Sequence, residues 1–490
     1  MDAPVLGVVI VGAGFAGICM AIRLKQSGLR DFVVLEEADE VGGTWRDNRY
    51  PGAACDVQSH LYSFSFEPNP GWTRQFAPQA EILEYLVRCT AKYGIRDHLR
   101  LRARVVGARF DDRDGLWIIE TSDGGTLAAR VLVSACGGLS RPAWPKLRGL
   151  ETFEGSCFHS ARWPSSFSVK GKSVAVIGTG ASAIQIVPSI APEVSRLFVL
   201  QRTPPWILPK PDADIPASRR AWFRRWPVLQ WLSRAIIYWR NELNAVSFVL
   251  EPGILKLIGE RSARAYLEQS VRDPALRARL QPRYAMGCKR ILPTNDYYSA
   301  LERENVRLVT ESVREINGRA IVLQDGAELA VDTIVLATGF EAAEPFVPFP
   351  IRGRGGLELA DVWGDGAEAY LGTTINGFPN FFMLVGPNTA LGHSSMILMI
   401  EAQVAYVLDA LRTMASRGLR SVVVRADVQA RYNVRLRLRL SRTVWSTGCA
   451  SWYLTRSGKN TTLWPGFTIE YRLRTRRFDL RSYTAQPLVG

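Results

Sequence analysis

The strongest constraint on the fold is a strand, a glycine turn and a helix that occur together twice in the chain. In the first copy, the apolar run Val5–Val11 leads into Gly12, Gly14 and Gly17 in the pattern GxGxxG. A helical pattern follows, and Phe32–Leu35 is a second apolar run. This order predicts a βαβ unit whose glycines permit a tight turn, a close approach to a pyrophosphate and close packing of the helix. The helix N-terminus would stabilise the phosphate charge.

An acidic residue, Glu36, ends the second strand, nineteen residues after Gly17. In dinucleotide-binding units, a carboxylate at this distance accepts hydrogen bonds from ribose hydroxyls. It would repel a 2′-phosphate. The first copy therefore predicts a site for a dinucleotide with an unphosphorylated ribose, such as FAD. A purely structural glycine turn is the alternative, and the complete βαβ context disfavours it.

The second copy repeats this order in the middle of the chain. The strand Ser173–Ile177 precedes Gly178, Gly180 and Ala183 in the pattern GxGxxA, and another strand follows at Leu197–Leu200. The context again predicts a dinucleotide site.

The two copies differ at the end of their second strands. Where the first copy has an acid, the second has Arg202 and Thr203. A guanidinium can bind a 2′-phosphate through two parallel hydrogen bonds, which predicts a preference for NADPH. The alternative for Arg202 is a solvated arginine at a strand end.

Two dinucleotide sites in one chain predict a flavin oxidoreductase in which hydride passes between two cofactors. We expect an α/β fold with two Rossmann-like dinucleotide-binding domains and a helical insertion in the second. The FAD-binding domain is expected at residues 1–145 and 340–490, the NADPH-binding domain at 146–205 and 289–339, and the insertion at 206–288. A flavin disulfide reductase is disfavoured because no cysteine pair follows the first helix.

Composition places the chain among globular proteins. It has 490 residues, 47% of them hydrophobic, which is enough for several packed cores. No apolar run approaches the roughly 18 residues of a membrane-spanning helix, and the N-terminus lacks the features of a signal peptide. The seven cysteines include no CxxC pair, which disfavours a disulfide framework, a zinc site and a redox-active dithiol. We expect a cytoplasmic protein without a metal.

The net charge of +15 has two interpretations. It can reflect arginines spread over the surface, or a polyanionic partner such as nucleic acid or lipid. We favour the first, and expect no nucleic-acid partner, because no long basic block occurs. A basic module that binds nucleic acid or membranes is the rival from another class of protein. Such a module would carry no flavin, and its binding would depend steeply on salt.

A more specific motif lies between the two glycine turns. It reads Phe153-x-Gly155-x-x-x-His159-x-x-x-Trp163-Pro164. It resembles the FxGxxxHxxxWP fingerprint of type I Baeyer–Villiger monooxygenases, members of the flavin-containing monooxygenase superfamily.

A second specific motif lies near the N-terminus. It begins with Gly43, Thr44 and Trp45, continues through Tyr50-Pro51-Gly52 and ends at Asp56. It resembles the longer fingerprint of the same family, in which the first three residues lie at the cofactor. The resemblance covers essentially the whole chain.

The resemblance implies a reaction as well as a fold. In this family NADPH reduces FAD, O2 adds to the flavin to give a C4a-peroxide, and the peroxide converts a ketone into an ester or lactone. A small-molecule ketone and O2 are then the expected partners. The alternative is an N- or S-oxygenating flavin monooxygenase. Those relatives usually have Tyr or Phe at the position of Trp163, so the tryptophan favours the Baeyer–Villiger reaction.

The resemblance also implies catalytic residues. Gly287-Cys288-Lys289-Arg290 resembles the family segment that carries the active-site arginine. Arg290 is therefore expected to hold negative charge at the flavin, which suits a permanently charged donor. Lys289 would help to bind the 2′-phosphate, and Asp56 matches the carboxylate that orients the arginine.

Two further residues are expected to act by positioning. His159 lies in the motif that links the domains, so we expect a positioning role and not proton transfer. Ser451-Trp452-Tyr453, with Gly458-Lys459, resembles the family loop that closes over NADP(H), here near residues 445–460. Trp452 would contact the nicotinamide ribose.

Two segments allow more than one interpretation. The insertion mixes tryptophans such as Trp222 and Trp226 with arginines. We favour helices packed on the nucleotide domain over a contact with a membrane surface. The alternation of Arg and Leu over Arg435–Leu440 has the period of a strand, but its place near the closing loop favours a helix end, and both readings stay open. Oligomeric state cannot be inferred from the sequence.

Overall fold

The computed structural model describes residues 5–341, 346–449 and 451–488. Its strands, in chain order, are β1 (Leu6–Val11), β2 (Phe32–Leu35), β3 (Leu99–Arg100), β4 (Val105–Asp111), β5 (Leu116–Thr121), β6 (Thr126–Ser134), β7 (Ser156–His159), β8 (Ser173–Ile177), β9 (Arg196–Leu200), β10 (Ile207–Leu208), β11 (Leu292–Pro293), β12 (Val306–Val309), β13 (Val313–Asn317), β14 (Ala320–Leu323), β15 (Glu328–Ala330), β16 (Thr333–Leu336), β17 (Ile351–Arg352), β18 (Phe381–Met383), β19 (Leu419–Val424) and β20 (Tyr483–Pro487).

The α-helices lie between and around these strands. They are α1 (Phe15–Gln26), α2 (Thr44–Asp47), α3 (Gln79–Lys92), α4 (Ala183–Ile190), α5 (Ala217–Arg225), α6 (Pro227–Val249), α7 (Pro252–Ile254), α8 (Glu260–Ser270), α9 (Pro274–Leu280), α10 (Tyr297–Leu301), α11 (Leu359–Trp363), α12 (Met396–Ser416), α13 (Ala426–Leu440) and α14 (Thr468–Arg474).

The first sheet has eight strands in the order β17-β4-β5-β6-β1-β2-β3, with β18 paired to β6. β1 lies between β2 and β6 and runs parallel to both. Alternate residues of β1 enter opposite cores: Val8 and Ile10 pack beneath α1 and α12, whereas Val9 and Val11 pack on the other face. This burial on both faces explains the continuous apolar run in the sequence. The sheet takes strands from both ends of the chain, because β17 and β18 join strands from the N-terminal part.

The second sheet is entirely parallel, in the order β12-β9-β8-β16-β7. Its central strand β8 is followed by the second glycine turn and α4, as β1 is followed by the first turn and α1. The two sheets confirm the predicted α/β class with two Rossmann-like units. Smaller pairings complete the strands: β10 with β11, β13 and β15 with β14, and β19 with β20.

Helices α5 to α9 lie between β10 and β11, and the arrangement of α6 differs from what we expected. We expected helices packed on the nucleotide domain, with their apolar residues covered. In the structure Trp222, Trp226, Trp231 and Trp239 are between 55% and 66% exposed. The side of α6 that faces the protein buries polar residues, including Gln230 and Glu242, as well as Tyr238 and Val249, and several large apolar residues of the helix stay outside. Among the described residues, no helix is long and apolar enough to cross a membrane.

Near the C-terminus, Arg435–Leu440 is the last part of helix α13. The strand interpretation of its alternating Arg and Leu residues is therefore wrong. Leu436 and Leu440, four residues apart, are the buried ones, which is helical spacing.

The first glycine turn generates a stability prediction. A Cβ placed on Gly17 would lie 1.8 Å from the carbonyl oxygen of Gly12. We expect Gly17→Ala to lower the free energy of unfolding by about 1–3 kcal/mol, the usual effect of overpacking, as measured by urea denaturation. Gly180→Ala is the control, because a Cβ there would meet no described atom within 4 Å. Equal losses in both variants would contradict the steric explanation.

Candidate active site

The first glycine turn has the shape of a phosphate cradle. Gly12 has a φ of +104°, and a Cβ on it would lie 2.7 Å from the carbonyl oxygen of Ala135. In the described part of the chain, no side chain caps the N-terminus of α1 at Gly14. The free amides of such a terminus favour a bound anion. These features fit the pyrophosphate of a dinucleotide.

Glu36 is buried at the end of β2, as the sequence predicts for a ribose-binding acid. Its carboxylate accepts hydrogen bonds from the amide of Ala13 at 2.8 Å and the amide of Ala38 at 3.1 Å. It also forms an ion pair with Arg46, at 2.8 Å. With three acceptor sites occupied, about one of the four on a carboxylate stays free for a ribose hydroxyl.

Arg46 is a residue that sequence analysis missed at this site. It is buried, and it binds Glu36, Asp47 and the carbonyl of Glu40. Burial opposes its charge, but the hydrogen bond and charge of Asp47 and the charge of Glu36 together raise its pKa. Arg46 therefore fixes the position of the Glu36 carboxylate.

The segment from Gly43 to Asp56 connects the two glycine turns. A Cβ on Gly43 would lie 3.1 Å from the Cα of Gly14, so this segment lies against the first turn, with Thr44 and Trp45 opening α2 beside it. Farther along, Tyr50 donates a hydrogen bond to Gln185 of α4 at 3.0 Å. Gln185 in turn donates to the carbonyl of Ala54 at 3.0 Å.

The structure brings Arg290 and Asp56 together, although they are 234 residues apart. Arg290 Nη2 donates to Asp56 Oδ2 at 3.0 Å, and the Arg290 side chain is 44% exposed. The other oxygen, Asp56 Oδ1, is buried with no hydrogen-bond partner among the described residues. The carboxylate thus holds one edge of the guanidinium, and the exposed part of the guanidinium can meet a ligand.

The groups around this ion pair are kept neutral by burial. Burial raises the pKa of Tyr50, Tyr453 and the Cys55 thiol to about 12. Burial alone would lower the pKa of Arg290, but the charge of Asp56, with the smaller effects of Tyr453, Cys55 and the hydrogen bond to Asp56, raises it overall. Arg290 is therefore a fixed guanidinium among protonated phenols. Tyr453 is buried and raises the pKa of Arg290, whereas the neighbouring Trp452 is exposed.

The second glycine turn is also open where a cofactor would lie. Gly178 has a φ of +116°, and a Cβ on it would lie 2.4 Å from the carbonyl of Ala337. Gly180 has free space around its Cα, and Ala183 is buried at the start of α4. Thr179 closes the turn by donating to the carbonyl of Thr203 at 3.0 Å.

Two cations lie beside this turn. Arg202 is exposed just after β9, and Lys289 lies over the ring of Tyr284 at 4.9 Å. Burial, and next the positive charge of Arg202, lower the pKa of Lys289. The two residues are thus close enough to repel each other, and a shared anion such as a phosphate would relieve this repulsion.

The linker motif lies on the edge of the second sheet. Gly155 has no room for a side chain, because a Cβ would lie 2.4 Å from the carbonyl of Asp332. Phe153 packs against the core beside this sheet, and Trp163, followed by the exposed Pro164, packs on Phe158 with ring centroids 5.0 Å apart.

His159 ends β7 and is fully buried. Its Nδ1 accepts the amide hydrogen of Ala161 at 3.1 Å. Burial lowers its pKa, so the ring is neutral, and it lies against Phe340 at 5.6 Å between centroids. This environment fits the positioning role that the sequence predicts.

The closing-loop region contains a bond that the sequence did not indicate. The structure joins the sulfurs of Cys288 and Cys449, whose Cα atoms are 6.2 Å apart. Our expectation against disulfides is wrong for this pair, because residues 161 positions apart show no spacing that sequence analysis could detect. The bond ties the segment of Arg290 to the loop that carries Trp452, which is 41% exposed. Residue 450 of this loop lies outside the described residues.

His393 is a half-buried histidine to which the sequence analysis gave no role. Its two ring nitrogens have no hydrogen-bond partner among the described residues, and burial lowers its pKa to about 4. It lies near Phe248, with ring centroids 6.4 Å apart. Across the described residues, no group of three or more His, Cys, Asp or Glu side chains could hold a metal ion.

Two Rossmann-like units with open glycine turns, meeting at an arginine, define a two-dinucleotide oxidoreductase. Residues 9–219 match the family described as pyridine nucleotide-disulphide oxidoreductase. A "Baeyer-Villiger monooxygenase" of Pseudomonas aeruginosa is 50% identical over 487 residues, which cover 99% of this chain and 92% of the relative.

Solved structures of monooxygenases are also similar to this chain. The closed crystal structure of cyclohexanone monooxygenase matches with a TM-score of 0.89 and 28% identity, over 99% of this chain and 100% of the other. A crystal structure of OTEMO in complex with FAD and NADP matches with the same TM-score, identity and coverage. The chain belongs to the type I Baeyer–Villiger monooxygenase family.

The sulfur bridge generates a prediction about thiols. The structure leaves five cysteines free, at positions 19, 55, 89, 136 and 157. Protein denatured without reductant should therefore titrate five thiols with Ellman's reagent, and the reduced protein all seven of its cysteines. In Cys449→Ser, Cys288 should appear as one additional free thiol before reduction. Seven thiols in the unreduced wild type would show that the bridge does not form.

Proposed function

We propose that this chain uses FAD, NADPH and O2 to convert a ketone into an ester or lactone. Membership of the Baeyer–Villiger family makes it an FAD-dependent monooxygenase that uses NADPH, rather than an N- or S-oxygenating enzyme. The observation that carries the assignment of the site is the contact between Arg290 and Asp56, at 3.0 Å. When bound, FAD supplies the activation of O2 and the transfer of an oxygen atom, and NADPH supplies the hydride.

The first Rossmann-like unit would hold FAD. Gly12, Gly14 and Gly17 leave space for its pyrophosphate at the N-terminus of α1, and the remaining acceptor of Glu36 would bind a ribose hydroxyl. Gly43, Thr44 and Trp45, which lie against this turn, would cover the cofactor. We assign residues 1–145 and 340–490 to this domain on the same grounds.

The second unit would hold NADPH. Gly178, Gly180 and Ala183 leave space at the N-terminus of α4, and Arg202 with Lys289 supplies two positive charges for the 2′-phosphate. Thr203 would lie at the same phosphate. We assign residues 146–205 and 289–339 to this domain and residues 206–288 to the insertion.

Arg290 is the proposed catalytic residue. Its guanidinium is held by Asp56 on one side and is partly exposed on the other, so it can hold negative charge at a reacting oxygen without rearranging. A preorganised donor of this kind stabilises charge that develops in a transition state. Asp56 acts as a positioning residue, because its carboxylate restrains the arginine and does not reach the reacting atoms itself.

Two residues would control access and geometry. Trp452, in the loop tied to Cys288, would close over the nicotinamide ribose and exclude water. The neutral ring of His159 would hold the linker in register with β16, to which β7 is paired. Neither residue carries a proton in the reaction.

Removing the guanidinium tests the proposed function. We expect Arg290→Ala to retain FAD, whose phosphate cradle is elsewhere, and to lose ester formation by about 10²–10³, the typical effect of deleting such a donor. Arg290→Lys should recover little, because an ammonium lacks the planar fork. Product formation from a panel of cyclic, linear and aryl ketones, measured by gas chromatography, would show this.

Two variants make the test specific. Arg283→Ala removes an exposed arginine from the same segment and should keep its activity. Asp56→Ala should show a milder form of the Arg290→Ala defect. Normal ester formation by Arg290→Ala would refute the catalytic role.

Coenzyme choice tests the second site. Arg202→Ala should weaken NADPH binding by about 1.5–3 kcal/mol, the range for hydrogen bonds to charged groups, and leave NADH binding unchanged, since NADH has no 2′-phosphate. Arg196→Ala, an exposed arginine at the start of β9, is the control. Affinities for both coenzymes can be measured by titration calorimetry. Equal weakening for NADPH and NADH would place Arg202 away from the phosphate.

A further inference from the structure

Helix α6 leaves a row of large apolar side chains exposed. The side that faces the protein buries Tyr238, Ala245 and Val249 together with polar residues, and specific hydrogen bonds hold it. Arg234 donates to the carbonyl of His60 at 2.9 Å and to the hydroxyl of Ser63 at 3.1 Å. Glu242 accepts the amide hydrogen of Thr468 at 3.0 Å, at the N-terminus of α14. These bonds determine which side of α6 points outward.

The outward side is apolar. We define the outer face by Trp222, Trp226, Trp231, Ile236, Trp239 and Leu243, all of them exposed. Within α6, Ile236, Trp239 and Leu243 follow spacings of three and four residues and lie along one side of the helix, and Trp231 is exposed near its start. Ile236 and Leu243 are 69% and 71% exposed, which is unusual for large apolar side chains arranged in a row. A contiguous exposed apolar surface of this kind marks a site of interaction.

The stretch of chain that forms the outer face carries charge of a single sign up to Glu242. No Asp or Glu occurs between Asp214 and Glu242, and the carboxylate of Glu242 is turned inward. Arg219, Arg224, Arg225 and Arg240 are all exposed in this stretch. A partner for this face must therefore accept tryptophan and leucine side chains and also supply negative charge.

We propose that the outer face binds the surface of a bilayer that contains anionic lipids. Tryptophan favours the boundary between headgroups and acyl chains, and arginines beside it attract anionic headgroups. The helix would lie in the plane of the surface with its polar side on the protein.

A second copy of this chain fits the face less well. A two-fold contact places the same surface of each subunit against the other. It would therefore bring the arginines around both outer faces together. An anionic bilayer has the complementary charge.

The proposal is independent of the oxygenation reaction, because the experiment requires no substrate. The holoenzyme is mixed with vesicles of phosphatidylcholine, alone or with phosphatidylglycerol, and the bound fraction is measured by flotation. We expect binding to the anionic vesicles, and weaker binding to the neutral vesicles or at high salt, since salt screens the arginines.

Matched variants locate the binding to the outer face. Trp231→Ala/Trp239→Ala should lower the affinity for anionic vesicles by about tenfold or more, because two interfacial anchors are lost. Trp144→Ala removes a tryptophan that is as exposed as Trp226, at 55%, but lies outside the face, and it should bind as the wild type does. Arg224→Gln/Arg225→Gln should lose the preference for anionic over neutral vesicles. Melting temperatures near the wild-type value would show that the variants are folded.

Three results would overturn the proposal. The first is absence of binding to anionic vesicles, and the second is equal losses in the Trp144 and Trp231/Trp239 variants. The third is a wild-type dimer in sedimentation velocity that Trp231→Ala/Trp239→Ala converts to a monomer, while vesicles bind neither form. That result would assign the outer face to a second copy of the chain.

Discussion

Backbone contact at the two glycine turns is the constraint on which the site depends. A Cβ on Gly17 would lie 1.8 Å from the carbonyl of Gly12, and a Cβ on Gly178 would lie 2.4 Å from the carbonyl of Ala337. Only glycine lets each helix begin this close to the end of its strand. Because β1 and β8 are central in their sheets, the turns set where the helix N-termini point, and therefore where two anionic cofactors can lie. The segment from Gly43 to Asp56 then connects the two units and carries the carboxylate to the arginine.

Electrostatics near Arg290 follow from burial rather than from a large number of charges. Phenols and a thiol in this region keep their protons because burial raises their pKa values. The guanidinium keeps its charge because Asp56 is in contact with it. An arginine restrained on one side only is suited to interact with a charge that appears during a reaction. The bridge between Cys288 and Cys449 adds a covalent restraint two residues before this arginine, so the position of Arg290 and that of the closing loop are coupled.

The protein's surface departs from the usual pattern at α6. An ordinary surface helix places its apolar stripe on the core. Here the hydrogen-bond partners of Arg234 and Glu242 lie inside the protein, and the tryptophans remain outside. The same chain thus combines two Rossmann-like units with an exposed apolar outer face around α6.

The sequence by itself determined the two βαβ units, their order and the cofactor each would prefer, because these depend on local patterns of glycine, apolar residues and one charged residue at a strand end. It also identified Arg290 and Asp56, but through a family resemblance and not through local chemistry. Tertiary structure alone decided three other features. Arg46 forms an ion pair with Glu36, the sulfur of Cys288 is joined to that of Cys449, and α6 exposes a row of large apolar side chains. Each of these depends on contacts that local sequence patterns do not show, or on which side of a helix the rest of the protein covers. Helical periodicity shows that a helix has two sides, but not which of them the rest of the fold will cover.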